Sequence, residues 1–181
     1  MTKLNKEEFK SRLDKQVYDK YYQDIECVDF KGYSGSDKTW ENIKDLVSWK
    51  KKKVVDLGCF HGYFCFKAEQ SGAKAVYGLD KHTAVLDTVN VIKEMNDSNA
   101  NFVYWDANLD ELTPKCDILL CLNCLHHFPD QEKVLSRLRC KQIICEINNN
   151  QIDLVKKYFS IIKIGPSNRK DRITLLGEKL K

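Results

Sequence analysis

Apolar residues fall along this 181-residue chain in two alternating rhythms. Short apolar runs at 54–57, 75–79, 101–105, 116–122 and 142–147 read as strands, and those almost wholly apolar read as strands covered on both faces. Between them, 63–70, 83–95 and 131–138 carry apolar residues every third or fourth position, the spacing of a helix with one buried stripe. Such alternation calls for a parallel sheet with right-handed crossovers and helices on both faces. The end of the chain breaks the rhythm. A helix at 151–158 precedes strands at 160–164 and 172–177, and the connection 165–171 is short enough to make them an antiparallel hairpin. Ahead of the sheet, Phe9, Leu13, Val17 and Tyr21 set a helical period over 6–22, and a second helix over 37–47 follows a turn-forming stretch at 32–36. The expected fold is therefore an α/β single-domain three-layer sandwich. Its mostly parallel seven-stranded sheet closes with a C-terminal antiparallel hairpin; an N-terminal helical extension or lid occupies 1–49 and the sheet domain 50–181.

Composition narrows this picture little. Hydrophobic residues at 43% and charged residues at 31% suit one globular core and argue against disorder. The first fourteen residues alternate charge without the apolar centre of a signal peptide, and no stretch reaches membrane-helix length, so a cytoplasmic protein without a membrane partner is expected. Most of the eight cysteines sit inside apolar runs, where a reduced thiol behaves as a small hydrophobe. Cys121 and Cys124 form a CxxC pair with no second pair at zinc-site spacing, and no metal is expected. Charge is uneven: from residue 137 to 181, eleven basic residues stand against four acidic ones, leaving −3 of the total +4 for the rest. A basic end of this kind attracts polyanions or simply keeps the surface solvated.

The chemistry concentrates where the first strand meets the next helix, in Asp56-Leu-Gly58-Cys59-Phe60-His-Gly62-Tyr63. In an open parallel sheet that junction opens onto the ligand crevice, and glycine lets the backbone turn sharply and come close to a ligand. A dinucleotide fingerprint requires glycine at 58, 60 and 63; only Gly58 is present, which argues against a nicotinamide or flavin dehydrogenase. The segment instead resembles the acidic-x-G-x-G-x-G signature of class I S-adenosylmethionine-dependent methyltransferases, with Rossmann-like folds, except that Phe60 replaces the middle glycine. Later strand ends continue the resemblance. Asp80 closes Val76-Tyr-Gly-Leu-Asp80 and matches the family's ribose ligand; Asp106 and Ala107 match its adenine contacts; Asn123 falls where the family lines the methionine end. The resemblance thus implies S-adenosyl-L-methionine as cofactor and S-adenosyl-L-homocysteine as product, held by Asp56, Gly58, Cys59, Phe60, Gly62, Asp80, Lys81, Asp106, Ala107 and Asn123.

The methyl acceptor is left open between a small molecule and an RNA. His126 and His127, just past the fourth strand, are the candidate general bases, since imidazole titrates near neutrality, while packing or capping are their structural alternatives. His61 and His82 read as structural or solvent-facing. Arg169 and Lys170 lie in the hairpin turn on the cofactor edge, with Tyr21, Tyr22, Tyr33 and Trp40 in the extension as stacking surfaces or a lid. Arg169, Lys170 and Trp40 are therefore the candidate acceptor contacts. The stretch from Gly35 through Trp40 into the glycine loop is loosely similar to enzymes that modify the wobble uridine of transfer RNA. The competing expectation is a catalytically inactive S-adenosylmethionine-binding protein, or a methyltransferase subunit activated by a protein partner.

Overall fold

The computed structural model describes residues 6–13, 22–109 and 113–181. Its centre is a seven-stranded sheet: β1 (Lys53–Leu57), β2 (Ala75–Asp80), β3 (Asn101–Tyr104), β4 (Cys116–Leu122), β5 (Cys140–Asn148), β6 (Phe159–Pro166) and β7 (Arg172–Lys179) in the order β3-β2-β1-β4-β5-β7-β6. The first five are parallel, and β7 runs antiparallel between β5 and β6. Strand order reverses at β1 and β4, so the carboxyl ends of these two strands part and leave a crevice. The glycine loop follows β1 there, and Asn123 follows β4.

Side chains alternate between two cores, as the two-residue period of a strand requires. Val55, Leu57, Leu119, Cys121, Ile143 and Cys145 face one way, against Val134 and Leu135 of α5 (Gln131–Arg137) and Val155 of α6 (Ile152–Lys156). Val54, Ile118, Leu120 and Ile144 face the other, against α3 (Tyr63–Gln70) and α2 (Ser36–Ile43). Both faces are covered, which is why the central strands read as unbroken apolar runs. A third cluster joins Ile25 and Val28 with Phe9 of α1 (Lys6–Leu13), Phe66 of α3, and Leu86, Val89 and Ile92 of α4 (Thr83–Met95).

Several boundaries differ from expectation. The helix expected over 6–22 covers Lys6–Leu13, Tyr22 lies in a bend, and 14–21 fall outside the described residues. The helix expected over 37–47 stops at Ile43, where the Trp49 indole N–H donates to Lys44 O at 2.6 Å and satisfies a terminal carbonyl. The hairpin strands run longer, through Pro166 and Lys179, and α6 is shorter, preceded by a 3-10 turn at Asn149–Gln151. Among the described residues, no helix is long and apolar enough to cross a membrane.

Candidate functional site

The crevice holds a cavity of about 490 Å³. Its floor is the loop from β1 to α3. Gly58 N and Cys59 N both donate to Leu79 O, at 2.8 and 3.1 Å, and pin the start of the loop to β2. Gly58, Phe60 and Gly62 all have positive φ, at 65°, 49° and 78°. A Cβ on Gly62 would stand 2.8 Å from Val89 and 2.9 Å from Phe102. Gly62 is therefore required by packing beneath the loop rather than by a ligand above it. Phe60 tolerates the left-handed conformation with its N–H donating to Asp80 Oδ2 at 3.1 Å. Its ring lies against Tyr22 (centroids 5.4 Å) and His61 (4.2 Å), forming a wall of the cavity without filling it.

Of the residues singled out by resemblance, Asp56, Gly58, Phe60, Asp80, Lys81, Asp106, Ala107 and Asn123 line the cavity. Cys59 and Gly62 are buried behind it and shape the loop instead. Asp80 accepts from Phe60 N through Oδ2 and from His82 N through Oδ1 (3.0 Å), leaving each oxygen one further lone pair toward the cavity. Asp106 Oδ1 accepts from the backbone and side-chain nitrogens of Asn108, both at 2.9 Å. Asp56 is 2% exposed, and burial pushes its carboxyl up to about 8; the Cys65 thiol, donating at 3.5 Å, opposes the shift, and Cys121 and Asp80 add to it.

The opposite wall comes from the extension and the hairpin turn. Arg169 Nη2 donates to Tyr22 Oη at 3.2 Å and to Ser34 O at 3.1 Å, with the guanidinium 5.6 Å from the Tyr22 ring. This arginine is occupied in tying the two segments together, whereas Lys170 beside it is exposed. Tyr33, 67% exposed, packs edge-on to Tyr22 on the cavity wall. Asn123, at φ 58°, donates through Nδ2 to the Glu146 carboxylate and accepts at Oδ1 from Arg172. Sequence reasoning missed Glu146 and Arg172. A lone acid within the apolar run Gln142-Ile-Ile-Cys-Glu146-Ile was the available signal.

Trp40 corrects the expectation of an acceptor contact. It is 8% exposed, stacks at 5.1 Å on Trp49 in the core beneath the sheet, and is absent from the cavity wall, which Ser36 and Thr39 of the same helix provide. Trp40→Phe is expected to destabilise the fold by about 1 kcal/mol, lowering Tm by roughly 2–4 °C in thermal unfolding. An unchanged Tm would mean that Trp40 contributes nothing to the core. The histidines also part. His127 lines the cavity; His126 does not, and desolvation, with His127, Arg172 and Arg169 nearby, pushes its imidazole down to about 4. His126 is neutral at pH 7 and holds a proton too weakly to serve as a base there. Cys121 and Cys124 bring their sulfurs within 3.4 Å, and no group of three or more His, Cys, Asp or Glu among the described residues is arranged to hold a metal.

Comparison with known proteins agrees with this architecture. A family model described as "Methyltransferase domain" matches residues 48–171. The tRNA U34 carboxymethyltransferase of Helicobacter acinonychis is 29% identical over 92 residues, 49% of this chain and 35% of the relative. The chain thus spans about a third of the length of the curated relatives it matches. Among solved structures, the PH0226 protein from Pyrococcus horikoshii superposes with a TM-score of 0.69 at 18% identity, over 91% of this chain and 97% of the other. An S-adenosylmethionine-dependent methyltransferase from Mesorhizobium loti gives 0.69 at 14% identity, over 82% and 100%. The structural likenesses speak for the fold, and the family model, which covers well over half the sequence, makes this chain a member of the class I S-adenosylmethionine-dependent methyltransferases.

Proposed function

We propose that the chain transfers the methyl group of S-adenosylmethionine to a base of an RNA. The observation that carries this reading is the cavity itself. It is bounded on one side by the carboxyl groups at the ends of β1, β2 and β3, and on the other by an aromatic wall with an exposed tyrosine and a lysine-bearing turn. A volume of about 490 Å³ lies within the range of about 300–1,000 Å³ usual for cofactor-sized ligands, and the Phe60 ring leaves it open. The named relative acts, by its name, on a transfer RNA uridine, and it aligns with about half of this chain.

S-adenosylmethionine supplies a methyl group already activated on its sulfonium, so alignment and exclusion of water are the main demands on the protein. In this reading the free lone pairs of Asp80 receive the ribose hydroxyls, Asp106 and Ala107 meet the adenine, and the Asn123 amide and Asp56 face the methionine end. Tyr22, Ser34 and Arg169 hold the extension across the cavity as a lid. His127, at the cavity wall, takes the proton when the acceptor atom carries one; His126 stays neutral beside it. Tyr33 offers its ring to a base, and Lys170 and Lys81 meet phosphates.

A labelled-methyl assay against separate RNA and metabolite pools tests this. Label is expected in RNA, with RNA affinity falling steeply as salt rises; Lys81→Ala and Lys170→Ala each reduce the slope of log K against log salt by about one. Label confined to small metabolites, or salt-independent RNA binding, would overturn the RNA acceptor.

A further inference from the structure

Glu146 is fully enclosed, on β5 between Leu122 of β4 and Thr174 of β7. A carboxylate so buried persists only where donors surround it. Its donors come from three distant segments: Thr39 Oγ1 of α2 at 3.2 Å, its one proton shared with Asn168 Oδ1 at 3.0 Å, Ser167 Oγ of the hairpin turn at 2.5 Å, and Asn123 Nδ2 at the end of β4. Asn123 N also donates to Glu146 O at 2.9 Å. At the other end of the same amide, Asn123 Oδ1 accepts from Arg172 Nη1. An anion on the nitrogen side and a cation on the oxygen side permit one orientation of the amide, because turning it over would set N–H against guanidinium and oxygen against carboxylate. Asn123 lines the cavity; Glu146 and Arg172 do not.

We propose that Glu146 is a positioning residue that fixes the Asn123 amide toward the amino-acid end of the cofactor, with Arg172 clamping the opposite side of that amide. Through Thr39 and Ser167 the same carboxylate joins the extension and the hairpin turn to the cofactor strand, so the lid and the methionine subsite share one anchor. The inference rests on the S-adenosylmethionine reading above. Glu146→Gln keeps the shape and leaves one accepting oxygen for Asn123 Nδ2, since the hydroxyls of Thr39 and Ser167 can accept from its amide nitrogen, but it removes the charge, so the charge-assisted bond that fixes the Asn123 amide becomes a neutral one.

The test compares two ligands by calorimetry on the full chain. S-adenosylhomocysteine and 5′-methylthioadenosine share the adenosine, and the second lacks the amino-acid part. Glu146→Gln is expected to weaken S-adenosylhomocysteine about tenfold, the difference between a charge-assisted hydrogen bond and a neutral one, and 5′-methylthioadenosine less than about twofold. Arg172→Met, at a half-buried strand position, reaches the same amide from the other side and is expected to show the same selective loss even where Glu146→Gln folds poorly. Glu146→Gln combined with Asn123→Ala is expected to bind no worse than Asn123→Ala alone, since both act through one group. Equal weakening of both ligands, or losses that multiply in the double variant, would overturn the inference. A wild-type chain that binds neither ligand would overturn the cofactor reading and this inference with it.

Discussion

Asp56→Asn is expected to flatten the dependence of stability on pH, and its advantage over the wild-type chain grows steadily between pH 4 and pH 8. The carboxyl at the end of β1 is 2% exposed, and burial holds its proton up to about pH 8, against an ordinary value of 3.8. Above pH 4 the unfolded chain gives up this proton while the folded chain keeps it. The stabilisation is therefore fully present below pH 4 and is lost as pH rises through about 8, at about 1.4 kcal/mol per pH unit. The total is on the order of 5 kcal/mol, large against the 5–15 kcal/mol that typically holds a domain together. Asp117 works the other way: the Lys141 ammonium, donating at 2.7 Å, holds it down to about 2, so its contribution disappears only as pH falls below 4, outside this window. Thermal unfolding of the ligand-free chain at pH 5 and pH 8 measures the difference. Parallel Tm curves for wild type and variant would mean that Asp56 ionises normally.

The sheet was legible because its central strands are buried on both faces. Nothing but apolar residues fits at 118–121 or 143–145, and every side chain there is fully enclosed. Helix ends were less legible, since they depend on contacts from elsewhere, as the indole of Trp49 on Lys44 O shows. The crevice was readable as a series of strand ends carrying Asp56, Asp80, Asp106 and Asn123, which the fold brings to one cavity. The opposite wall was not. A sequence gives the spacing of Trp40, Thr39 and Ser36 but does not say which face of their helix meets the core, and here the small polar face meets the cavity. Arg169 read as a candidate acceptor contact, yet its guanidinium is held by Tyr22 and Ser34, more than a hundred residues away in sequence. Glu146 was hidden for the same reason. Its partners lie 107, 23 and 21 positions distant, and only the closed sheet brings them together.

Asp80→Ala is expected to reduce affinity for S-adenosylhomocysteine and for 5′-methylthioadenosine together, each by at least about a hundredfold. Two kinds of bond disappear with this carboxylate. On the ligand side, the ribose proposed to bind here loses both of its acceptors, and a hydrogen bond to a charged group contributes about 1.5–3 kcal/mol, so two of them account for the factor. On the protein side, Phe60 N and His82 N lose the oxygens they donate to at 3.1 and 3.0 Å. Phe60 then keeps its left-handed backbone, at φ 49°, without the bond that holds it there, and the loop that walls the cavity loosens. Asp80→Asn retains one accepting oxygen and is expected to lose about tenfold. Since both ligands carry the ribose, the two affinities fall in parallel, unlike the selective loss expected at Glu146. Affinities within about threefold of wild type in Asp80→Ala, well short of the two orders of magnitude that two charged hydrogen bonds supply, would place the ribose elsewhere in the cavity.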